Sequence, residues 1–174
     1  MALTKVIGSG IGTVTNQFAD GNMSAGSVIQ VVQGTLVTGD SSTSTSYNAT
    51  GLQVQITPSS TSSKILITAI FYAGFPSQNN QTRFTIYKDS TNLDLSGSQA
   101  GGFTAIGDST GDGNMTYQGQ GLSCQYLDSP SSTSQLTYKL MRKQDGGTGY
   151  FNVNQNGDAS AKRTCVMIAQ EIGA

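Results

Sequence analysis

Short runs rich in β-branched and aromatic residues recur along this 174-residue chain, and Gly, Pro, Asn or Ser bounds each of them. Such runs are typical of strands in an all-β domain. Strong helix formers are scarce, since Glu occurs only at Glu171. We therefore expect an all-β fold, an antiparallel jelly-roll sandwich of about 8–10 strands with an extended N-terminal arm. The strand candidates are Val28–Val32, Thr43–Tyr47, Leu52–Ile56, Lys64–Tyr72, Arg83–Lys88, Phe103–Ile106, Met115–Tyr117, Leu122–Leu127, Gln135–Met141, Tyr150–Val153 and Lys162–Ile172.

Connections between these runs follow from turn residues. Asn48–Gly51 is interpreted as the connection that separates the second and third runs, and Gln144–Gly149 as a hairpin loop. In the last run the spacing leaves two registers open. Either Val166 and Ile168 face the core or Cys165 and Met167 do, because a shift of one residue exchanges the two faces of a strand.

Two runs differ in how their apolar residues are spaced. Leu52–Ile56 alternates apolar and polar residues, which predicts one buried face. Lys64–Tyr72 is apolar on both faces, which predicts a central strand with one face on the core and the other against a sister subunit. The candidate interface residues in this run are Ile65, Ile67, Ile70 and Tyr72.

The first 26 residues differ in character from the rest. Gly8, Gly10 and Gly12 interrupt their apolar residues, so neither an amphipathic helix nor the unbroken apolar run of a signal peptide is expected. We interpret residues 1–26 as an extended arm retained in the mature protein, and residues 27–174 as the sandwich domain. The arm residues expected to contact partner chains are Leu3, Val6, Ile7, Ile11, Val14 and Phe18.

Composition argues against several classes of partner. Only 11% of the residues are charged, and the formal net charge is -1. The chain offers no basic stripe to neutralise a phosphate backbone, so nucleic-acid binding is not expected. It has no apolar run long enough for a spanning helix, so membrane insertion is not expected either. Cys124 and Cys165 both lie in apolar runs and are expected to be buried free thiols, although the sequence leaves a disulfide open.

Catalytic residues are not expected. The chain has no histidine, which excludes Ser-His-Asp and Cys-His catalysis and removes the commonest metal ligand. Most Asp residues lie beside Gly, Ser or Asn, where turns favour them. Asp108–Asn114 resembles a calcium loop only superficially, because Gly119 stands where an EF-hand has its closing acid. We predict no enzyme, no cofactor and no metal site.

The Gly-rich stretch Gly97–Gly121 is expected to hold one or two short strands within long loop segments, and long loops often carry function. Its aromatic and acidic residues could contact a glycan, because aromatic rings stack on the apolar faces of sugars. The candidate glycan-contact residues are Phe103, Asp108, Asp112 and Tyr117.

Four segments carry a resemblance to a known family: GSVIQVVQ at 26–33, TGLQVQITPSSTSSKILI at 50–67, RFTIYKDST at 83–91 and CVMIAQEI at 165–172. Over residues 3–172 the chain resembles virion surface proteins of tailed bacteriophages, especially those of aquatic hosts. That resemblance implies a trimeric jelly roll of the C1q and tumour-necrosis-factor type, found as a tail-fibre head or a capsid-decorating protein. It supplies no catalytic residues.

Between these two roles, the absence of a repetitive shaft before Gly26 favours a capsid decoration or cement protein. We expect a non-enzymatic homotrimer on the virion surface, assembled in the host cytoplasm. Its arm would dock on the major capsid protein or other virion subunits and stabilise the shell, since a ligand that binds only the assembled state favours that state. The alternative is a short tail-fibre or receptor-binding head that contacts a host surface glycan.

Overall fold

The computed structural model describes residues 24–74, 81–93, 104–107, 119–153 and 163–174. Within these ranges the chain forms strands and no helix, and the strands make two antiparallel sheets that enclose one core. The predicted all-β sandwich is therefore confirmed. The strands are β1 (Val28–Leu36), β2 (Asp40–Ser42), β3 (Asn48–Ile56), β4 (Lys64–Gly74), β5 (Gln81–Lys88), β6 (Thr91–Asn92), β7 (Thr104–Gly107), β8 (Gly119–Asp128), β9 (Leu136–Gln144), β10 (Gly149–Phe151) and β11 (Cys165–Ile172).

The first sheet is built around β4. One edge of β4 pairs with β8 over Ile65–Gly74. The other edge pairs with β11 over Lys64–Ile70 and then with β10 at Ala73 and Gly74. β1 lies beyond β11, and β2 lies beyond β10. β4 is therefore a central strand, as its apolar sequence predicts.

The second sheet is built around β9 and β5. β9 pairs with β3 on one edge and with β5 on the other. The far edge of β5 pairs with β7 over Gln81–Phe84 and with β6 at Tyr87 and Lys88. β5 and β6 form a hairpin whose turn includes Asp89 at a φ of 53°, in the left-handed region that Asp tolerates better than most residues.

Alternate side chains of both sheets point into the core. Leu52, Val54 and Ile56 are buried on β3, as the alternation in this segment predicts. Three aromatic rings join the sheets: the Phe71 and Phe84 centroids lie 4.7 Å apart, and Phe151 lies 6.0 Å from Phe71. Burial of each such side chain contributes roughly 1.5–3 kcal/mol, so this layer holds the sandwich together.

The burial pattern of β11 decides which of the two registers left open by the sequence is adopted. Cys165 and Met167 are buried, whereas Val166 and Ile168 lie on the outward face of the first sheet. Both cysteines are free and buried, as predicted. Burial raises the pKa of Cys124 to about 12 and shifts that of Cys165 in the same direction, so both thiols stay protonated at neutral pH.

Three predicted local features are wrong. Thr43–Tyr47 is not a strand: Ser44 N–H donates to Ser42 Oγ at 3.1 Å and Ser46 N–H donates to Ser44 Oγ at 3.2 Å, and such local bonds compete with a strand ladder. Asn48–Gly51 is part of β3, with Gly51 at a φ of +87° beside a register shift. Gln144–Gly149 joins strands of different sheets, so it is a crossover and not a hairpin loop.

The sandwich has two distinct ends. At the terminal end, Val28 pairs with Ile172, which pairs with Lys64. Gly26 N–H also donates to Gly173 O at 2.7 Å there. At the opposite end, called here the loop end, Gly74 pairs with both Gly119 and Tyr150. The predicted arm residues Leu3, Val6, Ile7, Ile11, Val14 and Phe18 lie outside the described residues, as does the glycan-contact set Phe103, Asp108, Asp112 and Tyr117.

The two sheets are in close backbone contact where β1 faces β3. Gly34 lies against the backbone of Gln53, and a Cβ at position 34 would overlap the Gln53 carbonyl oxygen. Because the obstacle is backbone, a side chain there cannot simply rotate away. Glycine at position 34 therefore allows the backbone of β1 to pack directly against that of β3.

Gly34→Ala is therefore expected to lower the free energy of unfolding by at least about 2 kcal/mol, since overpacking forces the backbone apart. Urea unfolding followed by circular dichroism measures this change. Gly121→Ala, on β8 of the same sheet, is the matched control: a Cβ there meets nothing within 4 Å, so its effect should stay within about 0.5 kcal/mol. Equal effects of the two substitutions would contradict this account of the β1–β3 contact.

Candidate interaction surface

The outward face of the first sheet carries apolar side chains that no described residue covers. Ile70 on β4 and Leu127 on β8 are each 51% exposed, and Val31 on β1 is 58% exposed. Around them lie half-buried apolar residues of β4 and β11. We call the following set the apolar stripe: Leu66, Ile70, Tyr72, Leu127, Val166 and Ile168.

Strand register makes the stripe continuous. Leu66 pairs with Leu127, and Ile70 pairs with Val166. Ile168 lies diagonally from Leu66, a separation that long side chains bridge. The stripe therefore crosses three neighbouring strands from the terminal end to the loop end.

The residues between and beside the stripe are polar but uncharged. Gln125 Nε2 donates to Thr68 Oγ1 at 3.1 Å, and Gln33, Gln170 and Ser123 occupy neighbouring positions on the same face. Among the described residues, the charged side chains on this face lie near its ends, at Lys64 and Arg163. Depletion of charge together with exposed Ile, Leu and Tyr is the composition of the central part of a protein–protein interface.

The four predicted interface residues separate into two groups. Ile70 and Tyr72 lie on the outward face, as an interface requires. Ile65 and Ile67 point the other way and are fully buried in the chain's own core, so they cannot contact a partner. The alternation of side chains along a strand already separates odd from even positions here. The same alternation would have led to Leu66, whereas Leu127, Val166 and Ile168 require the strand pairing.

Buried ionisable groups elsewhere have structural partners. Glu171 is fully buried at the terminal end, where its carboxylate accepts hydrogen bonds from Gln30 Nε2 at 2.5 Å and from both the backbone N–H and the hydroxyl of Ser59 at 2.7 Å. The buried Ser63 hydroxyl lies near the same carboxylate, but it makes no hydrogen bond of good geometry with any described residue. These bonds tie β1, β11 and the β3–β4 connection together.

Hydrogen bonding decides the ionisation of Glu171. Burial alone would raise its pKa, but the hydrogen bonds from Gln30 and Ser59, together with the nearby Ser63 hydroxyl, outweigh that effect and hold the pKa below its ordinary value of 4.5. Glu171 is therefore ionised at neutral pH. Its contribution to stability is present above pH 4.5 and is lost as the pH falls through its lowered pKa.

Asp128 is the second buried carboxylate at this end. Tyr138 Oη donates to it at 2.8 Å, and the Lys88 ammonium lies 2.9 Å away. Burial, then the bond to Asp128, raises the pKa of Tyr138 far above its ordinary value. Asp128 on β8 and Glu171 on β11 both pair with Ile65 of the intervening strand β4. Two strand spacings separate their backbones, a distance of about 10 Å. Since they are 6% and 0% exposed, this carboxylate pair is closed to a substrate.

Arg142 is buried near the loop end. Its Nη2 lies 2.8 Å from Asp40 Oδ1, close enough for an ion pair but outside hydrogen-bond geometry, and its Nε has no partner among the described residues. Burial lowers the pKa of Arg142, and the Asp40 charge opposes that shift. The pair fixes β2 to β9 across the two sheets. No group of three or more Cys, Asp or Glu residues in the described ranges could hold a metal ion.

Comparison with known proteins places the chain in no family: no family model matches it, and no curated protein is significantly similar to it. Among the described residues, no helix is long and apolar enough to cross a membrane.

Glu171→Gln is expected to lower the free energy of unfolding at neutral pH by about 1–3 kcal/mol, because the amide replaces an acceptor oxygen by a donor that faces Gln30 or Ser59. The difference from the unsubstituted protein should shrink as the pH falls below 4.5, where the native carboxylate becomes protonated. Thermal unfolding across that pH range measures both effects.

The matched control is Asp145→Asn, which removes a carboxylate from the partly exposed ion pair with Arg83. Such surface pairs contribute about 0–1 kcal/mol, so this variant should remain close to the unsubstituted protein at every pH. A Glu171→Gln deficit that stays constant with pH would exclude the ionised network described above.

Proposed function

We propose that this protein is a non-enzymatic structural protein of the virion surface of a tailed bacteriophage, a homotrimer that decorates and stabilises the capsid. The observation that carries the self-association is the apolar stripe. Its central members Ile70 and Leu127 remain half exposed in a single chain. Burial of each of them against another subunit contributes on the order of 1 kcal/mol, and several act together around a symmetry axis.

The order of strands supports the expected jelly roll. With the short strands β2, β6 and β10 set aside, the sheets run β1-β11-β4-β8 and β3-β9-β5-β7. Eight strands divided between two sheets, with the chain crossing repeatedly from one sheet to the other, is the arrangement of a jelly roll. A trimeric jelly roll of the C1q and tumour-necrosis-factor type would place one sheet of each subunit near the axis, and the first sheet has the apolar outward face for that position.

The location of the chain ends supports docking from one side. Residues 24–27 lie beside the C-terminal residues at the terminal end, where Gly173 N–H donates to Ser27 O at 2.9 Å. The point at which the proposed arm joins the domain therefore lies at the terminal end, opposite the loop end. In the proposed assembly the terminal end faces the capsid subunits and the loop end faces outward.

Ile70→Asp and Leu127→Asp each place an unpaired charge in the proposed interface, and burial of such a charge is costly. Light scattering during size-exclusion chromatography should give the unsubstituted protein three times its 18.1 kDa chain mass. Each variant should elute as a folded monomer at micromolar concentration. Circular dichroism confirms that the fold is retained, since both positions are half exposed in the isolated chain.

Gln53→Asp is the matched control, because it adds the same charge to an exposed strand position on the outward face of the second sheet. It should remain trimeric. A monomeric unsubstituted protein, or trimers that survive both stripe substitutions, would refute association through this face.

Deletion of residues 1–23 tests the capsid role separately. The truncated protein should stay trimeric because the stripe is intact, but it should lose binding to capsids in a co-sedimentation assay. Undiminished capsid binding would exclude the arm as the docking element. A protein that attaches to tails through the arm, and binds no capsid, would be a tail-fibre head instead of a decoration protein.

A further inference from the structure

The outward face of the second sheet differs in chemistry from the apolar stripe on the first. Arg83 and Tyr87 on β5, and Lys139 and Lys143 on β9, point outward, and all four are half-buried. Tyr47, which precedes β3, lies against two of them with its ring. We call these five residues the cationic face. The stripe lies on the other side of the sandwich, so the proposed trimer contact does not include the cationic face.

Two tyrosine rings form an apolar patch on this face. The Tyr47 and Tyr87 ring centroids lie 5.8 Å apart, with their planes tilted by 56°. Met141, which is half-buried, occupies the outward position between Lys139 and Lys143 on β9. The patch therefore has a cation on each side along β9, and aromatic rings of this kind pack against the apolar faces of sugars.

Strand register brings like charges together on this face. Arg83 pairs directly with Lys143, and like charges in directly opposite positions destabilise a sheet. Asp145 offsets the Arg83 charge, because its Oδ2 accepts hydrogen bonds from Arg83 Nε at 3.0 Å and from Nη2 at 2.8 Å. No carboxylate among the described residues lies within ion-pair distance of Lys143. An external anion would therefore relieve a repulsion that the single chain leaves in place.

Both lysine ammonium groups keep donors for a ligand. Lys143 Nζ lies 5.2 Å from the Tyr47 ring centroid, a contact with the face of the ring that forms no ion pair. Lys139 Nζ donates one hydrogen bond, to the Asp89 carbonyl oxygen at 3.2 Å, and an ammonium group has three N–H donors. Lys139, like Lys143, has no carboxylate within ion-pair distance in the described part of the chain.

The spacing of the two lysines suits a polymer. Lys139 and Lys143 are four residues apart on one strand, which corresponds to about 13 Å. Lys139 also lies in a cross-strand row with Tyr87 and the exposed Gln53. The Gln53 amide both donates and accepts hydrogen bonds, as sugar hydroxyls do. An extended glycan can contact both lysines and the rings between them at once.

We propose that the cationic face binds an acidic polysaccharide, a glycan chain that carries carboxylates along its length. Lys139 and Lys143 pair with carboxylates on separate sugar units, and Tyr47 and Tyr87 contact the sugar between them. Nucleic acid is the less favoured polyanion, because two available lysines provide few contacts to a phosphate backbone. The proposal does not depend on the virion role or on the trimer.

Polygalacturonate and its methyl ester are the probes, because esterification removes the charge and keeps the sugar chain. Calorimetry on the full-length protein at low salt should give an affinity for polygalacturonate at least about tenfold above that for the ester. Lys139→Gln and Lys143→Gln should each weaken polygalacturonate binding about threefold, and the double variant about tenfold, as expected of one and two exposed charge pairs. Added salt should reduce these differences by screening.

Lys64→Gln is the matched control, since it removes the same charge from an exposed position on β4, in the other sheet. It should bind polygalacturonate like the unsubstituted protein. Equal affinity for the two polymers, no binding of polygalacturonate, or an equal loss in Lys64→Gln and the β9 variants would overturn the proposal. Tighter binding of a DNA duplex of similar length would overturn it as well.

Molecular mass measured on the same samples separates this proposal from the proposed function. A monomeric protein that binds polygalacturonate through Lys139 and Lys143 would refute the trimer and support the cationic face. A trimer that binds neither polymer would support the stripe and refute the polysaccharide site.

Discussion

Alternation of side chains along β4 is the constraint on which the rest of the structure depends. This strand lies at the centre of the first sheet, and its inward residues Ile65, Ile67 and Phe71 form much of the core. Its outward residues include Leu66, Ile70 and Tyr72, which the single chain leaves partly exposed. One strand therefore both closes the domain and presents the surface through which we propose that it assembles.

Buried polar groups secure the two ends of the sandwich that the apolar core cannot reach. Glu171 joins β11 to β1 and to the β3–β4 connection, and Arg142 joins β9 to β2 through Asp40. Near the loop end, Asn152 positions Arg163. Each is a charged or amide group enclosed in protein, where an unmade hydrogen bond is costly. These groups fix the geometry at the ends of the strands.

The sequence predicts best those features that follow from the alternation of apolar and polar residues along one strand. The alternation in Leu52–Ile56 and in Leu136–Leu140 identifies buried faces, because successive side chains of a strand point to opposite sides. The apolar character of Lys64–Tyr72 likewise identifies the central strand. The same rule, applied strictly, excludes Ile65 and Ile67 from an interface that contains Ile70 and Tyr72. Strict alternation along β4 alone is therefore enough to predict Leu66, Ile70 and Tyr72, which are half of the apolar stripe.

The remaining features depend on contacts between residues far apart in the chain. Leu127 and Val166 join the stripe only because β8 and β11 pair with β4. Gln144–Gly149 contains the turn residues of a hairpin, yet tertiary packing sends the next strand into the other sheet. In Thr43–Tyr47, β-branched and aromatic residues favour a strand, but serine hydroxyls bind the local backbone instead. No local sequence pattern predicts which strands pair, which sheet the next strand joins, or where serine hydroxyls replace a strand ladder.

Hydroxyl-radical footprinting of the unsubstituted protein in solution tests most directly whether other copies of this chain cover the apolar stripe. In the single chain, Ile70 and Leu127 are each 51% exposed and Val37, outside the stripe, is 59% exposed, so an isolated subunit would react at all three side chains to a similar extent. If copies of this chain cover the stripe, oxidation at Ile70 and Leu127 is suppressed while Val37 still reacts. Similar oxidation of all three residues would contradict the account.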